Sequence, residues 1–445
     1  MSAPIDLGRV VSPEAAIAAK RELFQEQFFT LVWQLPQPWS KVLEISLSAL
    51  TRVDTSGQIS AVITDDSSAL VRTINDVGDI PSDLLGGVST RLDLPVHHLK
   101  DPLALGEVHV AKPWGRERWF TGIEARGVCD VAGTPLPWLL SFAPRALGSA
   151  PDPAPILLKM LEPHAHATLG DLYFEAHEEK AEVYVVTGVA PCWPDGKGEV
   201  RLGFDPERVA TAGSPDEFRR AYLQAVVAYQ RVRDTIDEQI DARRSSEQIG
   251  SGIELPPSTI ENWLRELPQQ LLEDEESARH TMEAFSHRHT LEVGDTVTVP
   301  PLVPHALQHG VSVVEFQSPH YERYILSFNQ QVLTQVGWDT ERAIDRIRLD
   351  TPAQRTAVIQ DEWGVRIDEI ANFEHFHVHR VTLAKDAWLT LDYPHYYLAM
   401  GVEGDITLGQ GHLLPECARW VPACCPALTL VGNTGKNTAL IAIPH

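Results

Sequence analysis

Short runs of alternating apolar and polar residues dominate the chain and predict that it is mainly β. Between about 106 and 200 these runs include EVHVAK, AEVYVVTG and EVRLGF, separated by Gly, Pro and Asp. Alternation of this kind is typical of half-buried strands in an antiparallel sandwich or barrel. The same pattern returns at 286–328 and again from about 372 to the end. We therefore expect two β modules.

A helical insertion at about 205–285 interrupts the strands. The segment Ser214–Glu217 is a capping box with a proline at the first helical position. Apolar side chains then recur at helical spacing, and they comprise Phe218, Tyr222, Val226, Tyr229, Val232, Ile236 and Ile240. A further helical stretch is predicted around 338–350.

The first hundred residues have a mixed α/β pattern and contain no chemical motif. Ser12 is a suitable cap for a helical run that begins at Pro13, and strand-like alternation follows. We predict four segments: an α/β region at 1–100, a β module with the helical insertion at 101–335, a helical linker at 336–371 and a C-terminal β module at 372–445.

The acidic composition limits the classes of partner. The chain has 445 residues, with 37 Lys and Arg against 61 Asp and Glu, so its formal net charge is −24. This charge argues against binding to nucleic acid or to an anionic membrane, but a few local cations can still bind a small anion. We find no apolar stretch long enough to span a membrane and no signal peptide. Five cysteines without a CxxC pair favour a reduced, cytoplasmic protein.

Two separated segments contain residues that can bind a metal ion together. Glu175 and His177 are two positions apart and share one face of a strand. Glu182 follows at a distance that a tight hairpin can fold back. Further along, the proline-rich turn 300–304 presents His305. Two imidazoles and two carboxylates suit one ion such as Zn²⁺, Fe²⁺, Mn²⁺ or Co²⁺.

These segments resemble the two signature motifs of the cupin superfamily, with Glu175 in place of the first motif's leading His and Leu302 in place of the second motif's Gly. Within that superfamily the chain is most similar to type I mannose-6-phosphate isomerases, over roughly 105–200 and 285–445. The similarity rests on segments that match motifs of that family: Lys112–Gly115, Leu157–Leu161, Lys180–Tyr184, Pro300–His305, Glu315–Gln317 and Arg323.

The resemblance implies a mainly β fold of two cupin modules, each a sandwich or jelly roll, with a helical insertion and an α/β N-terminal region. It implies a Zn²⁺ site, with Fe²⁺ or Mn²⁺ as possible ions, whose ligands are Glu175, His177, Glu182 and His305. It also implies that Lys180 and Arg323 lie beside the substrate as catalytic residues. The expected activity is aldose–ketose isomerisation of mannose 6-phosphate, fructose 6-phosphate or a related sugar phosphate through an enediol.

One departure concerns the metal itself. Glu175 stands where the isomerases have a Gln, and this carboxylate adds a negative charge beside the ion, which weakens its Lewis acidity. Two other functions therefore remain open: a non-catalytic sugar-binding cupin, and an Fe(II) oxygenase, whose iron also suits two His and one or two carboxylates.

Two other histidine clusters compete as metal sites. His375, His377 and His379 alternate on a predicted strand and share one face, which we interpret as an exposed strand face rather than a second metal site. His287 and His289 have the same spacing just before the second motif. The C-terminal module resembles the metal-free second cupin of the isomerases, which implies a structural or interface role.

Overall fold

The computed structural model describes residues 8–10, 12–37, 43–77, 84–149, 154–250, 255–320, 322–328 and 337–445. It is mainly β with one large helical insertion, as predicted. The chain forms two compact units. The first comprises Met1–Val110, Arg118–Lys159 and Thr356–His445, and the second comprises Ala111–Glu117 and Met160–Arg355. The chain passes from one unit to the other four times: within the strands Val108–Lys112, Gly115–Trp119 and Leu157–Pro163, and between Arg355 and Thr356.

The N-terminal part of the first unit is the expected α/β region. Its sheet has five strands in the order Gly8–Arg9, Gln27–Pro36, Glu44–Val53, Ile59–Thr64 and His97–His98. In the described part of this region the helices Pro13–Arg21, Ser67–Val77 and Leu84–Leu92 accompany the sheet. The Ser12 hydroxyl accepts a hydrogen bond from the Ala15 amide at 3.3 Å, which satisfies one free N–H of the first helical turn.

The C-terminal part of the first unit contains two sheets around one core. The larger sheet has the order Thr134–Pro135, Asp130–Val131, Leu103–Leu105, Ala418–Val421, Tyr397–Glu403, Lys436–Pro444, Phe376–Ala384, Val365–Asn372 and Ala357–Glu362. The smaller has the order Trp388–Leu391, Leu428–Gly432, Ile406–Leu408 and Gly411–Leu413. This unit also contains the strands Ile123–Glu124 and Gly127–Val128 and the helices Leu136–Phe142 and Pro144–Leu147.

The predicted helical linker at 336–371 is mostly not helical. Its helix is limited to Thr340–Ala343, and Ala357–Glu362 and Val365–Asn372 form a hairpin in the larger sheet. The helical spacing of apolar residues near 344 therefore belongs to a short turn, and Ile344 and Ile347 pack into a core instead of extending a helix. Residue 336 lies outside the described residues.

The second unit is a β-sandwich with helices on one outer face. In one sheet, Glu182–Val189 lies between Thr296–Val299 and Val311–Gln317. The facing sheet has the order Ser286–Leu291, Gly198–Phe204, His305–Leu307, Phe174–Ala176 and Tyr324–Ser327. A core between them takes Tyr184, Val186, Val297 and Val313 from the first sheet and Val200, Leu202, Leu307 and Ile325 from the second.

The helical insertion covers the outer face of that second sheet. Its helices are Pro206–Thr211, Pro215–Ser246, Pro257–Arg265 and Gln269–Glu283. Ser214 caps the long helix as predicted, accepting from the Glu217 amide at 3.2 Å. Phe218, Tyr222 and Tyr229 pack against the sheet. The unit also has the short helical segments Ala167–Gly170 and Pro194–Gly196. Among the described residues no helix is both long and apolar enough to cross a membrane.

Candidate metal centre

Three short strand ends bring the four predicted ligands to one place inside the second unit. Phe174–Ala176 pairs antiparallel with His305–Leu307, and Glu175 lies directly opposite His305. The chain then turns back so that Glu182 begins the next strand. The turn before His305 docks on this hairpin, because the Leu302 amide donates to the His177 carbonyl at 2.6 Å.

The backbone of Leu302 explains one of the departures from the cupin motif. Leu302 has a φ of 63°, the left-handed region that glycine adopts at little cost. The motif has Gly at this position. The turn conformation is therefore retained here with a leucine, and the backbone at Leu302 is strained.

The donor atoms of the predicted ligands face one another at short range. His177 Nε2 lies 3.6 Å from Glu175 Oε1 and 3.5 Å from Glu182 Oε1. His305 Nε2 lies 3.1 Å from Glu182 Oε2. One donor atom each of Glu175, His177 and His305 lie within 4.8 Å of one another. Both histidines and Glu182 are almost completely buried.

Both imidazoles are fixed in the tautomer that a metal ligand needs. His177 Nδ1 donates to the Glu322 carbonyl at 2.8 Å, and His305 Nδ1 donates to the Val303 carbonyl at 3.1 Å. A carbonyl oxygen only accepts hydrogen bonds, so each Nδ1 carries the proton. Each Nε2 is therefore the nitrogen that faces the cluster, which is the usual arrangement of ligating histidines.

Two atoms of the cluster lack the hydrogen bonds that burial normally demands. Among the described residues, His177 Nε2 and Glu175 Oε2 are buried without a hydrogen-bond partner. Each orphaned buried polar atom costs about 1–3 kcal/mol. A nitrogen and an oxygen without hydrogen-bond partners, beside a second imidazole and a second carboxylate, are suitable ligand atoms for a divalent ion of the zinc class.

Lys180 and Arg323 flank the two carboxylates. Lys180 is buried, and its Nζ lies 2.5 Å from Glu182 Oε1. Arg323 Nη1 lies 3.8 Å from Glu175 Oε2, and the Arg323 guanidinium stacks over the Tyr173 ring at 5.4 Å from its centre. Lys180 is therefore not a solvated surface lysine, and Arg323 pairs with Glu175.

These cations keep both carboxylates ionised despite their burial. Burial by itself would raise the pKa of both, but His177, Arg323 and Lys180 hold the pKa of Glu175 below its ordinary value. The pKa of Glu182 lies well below its ordinary value because of Lys180 and His177. Ionised carboxylates are the form that binds metal.

The two imidazoles respond in opposite directions. Burial and the nearby Lys180 lower the pKa of His177, so it is neutral at pH 7. Burial also opposes protonation of His305, but its contact with Glu182 outweighs burial and raises the pKa of His305. A metal ion would replace the proton that His305 shares with Glu182.

The supporting roles of two residues were not predicted from the sequence. The Tyr184 hydroxyl donates to Glu182 Oε2 at 2.6 Å, which orients that carboxylate. Tyr184 is two positions after Glu182 on a strand, and this spacing alone predicts that the two side chains lie on the same face. The Glu322 side chain accepts from the Glu179 and Lys180 amides at 2.8 and 3.0 Å, which holds the turn before Glu182.

The competing histidines are not in this cluster. His287 and His289 lie on the Ser286–Leu291 strand at the edge of the second sheet. The row His375, His377 and His379 belongs to the first unit.

His309, four positions after His305, has partners of its own. Its Nδ1 forms a hydrogen bond with Asp171 Oδ1 at 2.8 Å, and its ring stacks on Trp193.

Comparison with known proteins identifies the fold. No protein-family model matches the chain, and no curated protein matches it in sequence. The solved structure of mannose 6-phosphate isomerase from Bacillus subtilis is similar, with a TM-score of 0.53 and 16% identity, covering 77% of this chain and 99% of that one. The apo form of mannose 6-phosphate isomerase from Salmonella typhimurium is also similar, with a TM-score of 0.51 and 12% identity, covering 77% of this chain and 99% of that one.

At sequence identities of 16% and 12%, the structural similarity establishes the fold alone. The chain has the mainly β, cupin-type fold of these solved structures, which confirms the predicted fold class.

Proposed function

We propose that the protein is a divalent-metal-dependent aldose–ketose isomerase that acts on a sugar phosphate such as mannose 6-phosphate or fructose 6-phosphate. The convergence of Glu175, His177, Glu182 and His305 on one buried point carries this proposal. The similar fold of two mannose 6-phosphate isomerases supports it. We assign those four side chains as the ligands and Zn²⁺ as the ion, with Fe²⁺ or Mn²⁺ as alternatives.

The charges of the cluster explain how an acidic protein can attract a phosphorylated sugar. The carboxylates of Glu175 and Glu182 are balanced by Lys180 and Arg323, which lie beside them. A divalent ion then leaves the site with a net charge near +2. In a poorly solvated site this local charge outweighs the distant −24 of the whole chain, which is screened by salt.

Each flanking cation has a distinct task in our proposal. A divalent ion held by the four assigned ligands would supply Lewis acidity toward the carbonyl and adjacent hydroxyl of the sugar. Arg323 is held by Tyr173 and Glu175, and it stabilises the negative charge that develops on the enediol oxygens. Lys180 is held by Glu182 and serves as the acid–base group next to the sugar.

The first test is isomerisation by the metal-loaded protein. The chain is stripped with chelator, reloaded with Zn²⁺, Mn²⁺ or Fe²⁺, and incubated with a panel of aldose and ketose phosphates in D₂O. We expect the aldose and ketose phosphates to interconvert with deuterium exchange at C2, which NMR measures. No exchange at full metal occupancy would contradict the proposal and favour a non-catalytic cupin. Metal-dependent O₂ consumption with Fe²⁺ would favour the oxygenase.

The second test separates catalysis from metal binding. We expect Arg323→Ala to lower kcat/KM by about a hundredfold, the typical cost of one lost charge-stabilising donor, without loss of bound metal. Arg342→Ala is the matched control, because Arg342 also stacks over a tyrosine but is largely exposed and pairs with Asp339. Equal activity of the two variants would show that Arg323 has only a structural role.

A further inference from the structure

Two short stretches of the second unit that contain proposed site residues are hydrogen-bonded to each other. The first, residues 177–181, contains His177 and Lys180, and we call it the ligand turn. The second, residues 322–324, contains Arg323, and we call it the arginine segment. The hydrogen bonds that join them connect positions at least 142 residues apart in the chain. The proposed site therefore depends on how these two stretches are held together.

Glu322 of the arginine segment bonds the ligand turn through both its backbone and its side chain. Its carbonyl oxygen accepts from His177 Nδ1 at 2.8 Å. Its carboxylate oxygen Oε1 accepts from the backbone amides of Glu179 and Lys180, at 2.8 and 3.0 Å. One residue thus fixes the ring of a proposed metal ligand and the backbone two and three positions further along. Supporting contacts of this kind orient metal ligands.

Neighbouring residues hold the two ends of the ligand turn. The Tyr324 hydroxyl donates to Glu178 Oε2 at 2.6 Å, and Arg346 Nη1 donates to both of these groups. At the other end, the Ala181 amide donates to Ser318 Oγ at 3.0 Å, and the Ser318 amide donates to the Ala181 carbonyl at 3.0 Å. Since the ends are held by other residues, the Glu322 carboxylate holds the centre of the turn.

The centre of the turn carries the buried cation of the site. The Lys180 ammonium lies 2.5 Å from Glu182 Oε1, and the Lys180 amide is one of the two donors to Glu322. A buried N–H that loses its acceptor is costly, so the backbone of Lys180 would move if the Glu322 carboxylate were removed. A backbone shift at this residue also displaces its ammonium group from Glu182.

We propose that Glu322 is a positioning residue of the isomerase centre, whose carboxylate sets the place of Lys180 and whose carbonyl sets the direction of the His177 ring. The effect on turnover rests on the proposed function, whereas the effect on metal binding does not. The feature that matters is an acceptor oxygen at the right reach rather than a negative charge, because both partners are backbone N–H groups. A glutamine side chain also offers an acceptor oxygen.

Metal affinity of the full-length chain tests the role of the carboxylate toward the ligand turn. Zn²⁺ is titrated in competition with a chromophoric chelator. We expect Glu322→Ala to weaken Zn²⁺ binding by about 10–100-fold, the usual effect of losing a residue that supports a metal ligand. Glu322→Gln should bind Zn²⁺ as the unaltered protein does. Unchanged affinity in Glu322→Ala would overturn the proposal.

A shorter acid and a neighbouring glutamate control for charge and for folding. Glu322→Asp keeps the charge but lacks the reach to both amides, so it should bind Zn²⁺ more weakly than Glu322→Gln. The reverse order would overturn the proposal, even if Glu322→Ala did not fold. Glu179→Ala is the matched control, because the Glu179 side chain is 70% exposed on the same turn and lies 3.7 Å from His320. It should leave the affinity unchanged.

Turnover of mannose 6-phosphate separates positioning from a general structural role. We expect Glu322→Ala to lower kcat more than it raises KM, and Glu322→Gln to restore kcat. In a double-mutant cycle with Lys180→Met, the combined loss in kcat/KM should be smaller than the product of the two single losses, because Glu322 acts through Lys180. Losses that multiply would overturn this role. Weaker Zn²⁺ binding by Glu322→Ala in a chain that isomerises no sugar phosphate would refute the proposed function and leave the positioning of the metal ligands standing.

Discussion

Individual residues of the candidate centre are positioned by short-range hydrogen bonds. His177 and His305 each donate Nδ1–H to a backbone carbonyl, and Tyr184 orients the Glu182 carboxylate. Such supporting contacts fix the direction of the donor atoms before any ion binds. Glu175 adds a second carboxylate to this centre, and Arg323 partly offsets its charge.

The substitution His305→Ala should remove most of the metal from the candidate centre without unfolding the chain. His305 supplies one of the converging donors, and its loss leaves Glu182 without that partner. Inductively coupled plasma mass spectrometry and circular dichroism measure the two effects. His289→Ala is the control on a strand of the same sheet. Metal retained at this site in His305→Ala would refute the ligand assignment.

At the scale of elements, the helical insertion is held by aromatic packing against the sheet that presents His305. Phe218 of the long helix lies 5.1 Å from the Phe204 ring and 5.5 Å from the Phe285 ring, in edge-to-face contacts. Tyr222 contacts the same two rings. The insertion therefore supports the sandwich directly.

We expect Phe218→Ala to lower the free energy of unfolding by about 3–5 kcal/mol, the usual cost of removing a buried phenylalanine side chain. Urea denaturation measures this change. Arg220→Ala, at an exposed position two residues along the same helix, should change it by less than about 0.5 kcal/mol. If both variants were equally stable, the helix would not depend on this packing.

At the scale of the whole molecule, stability depends on pH as well as on packing. His97 is buried in the N-terminal sheet, and its Nε2 bonds the Thr134 hydroxyl at 2.9 Å. Burial lowers the pKa of His97 to about 4. The unfolded state therefore binds more protons between pH 4 and about 6.5, and stability falls as the pH decreases through that window.

Lowering the pH from 7 to 5 should cost about 2 kcal/mol of unfolding free energy through His97 alone. His97→Gln keeps a polar side chain but cannot take up the proton, so its unfolding free energy should vary less with pH. Urea titrations at several pH values measure the slope. An unchanged slope in His97→Gln would contradict this account.

Local sequence patterns by themselves determined the class of secondary structure in most segments. Alternation predicted the strands around Glu182 and the C-terminal sheets, and the Ser214 cap predicted where the long helix begins, because these signals depend only on neighbours within one turn or strand. Motif spacing also selected four candidate ligands. Glu175, His177 and His305 each have a donor atom within 4.8 Å of the others, and Glu182 lies beside both histidines.

Only the tertiary structure decided the environment of each side chain. It buried Lys180 against Glu182 and paired Arg323 with Glu175. It also limited the predicted linker helix to Thr340–Ala343 and left His377 half-buried on a strand face that the sequence predicted to be exposed. The physical reason is that burial, charge pairing and sheet register are set by contacts between segments far apart in sequence. Periodicity along one strand places a residue on a face, but the opposing strands determine whether that face meets water or a core.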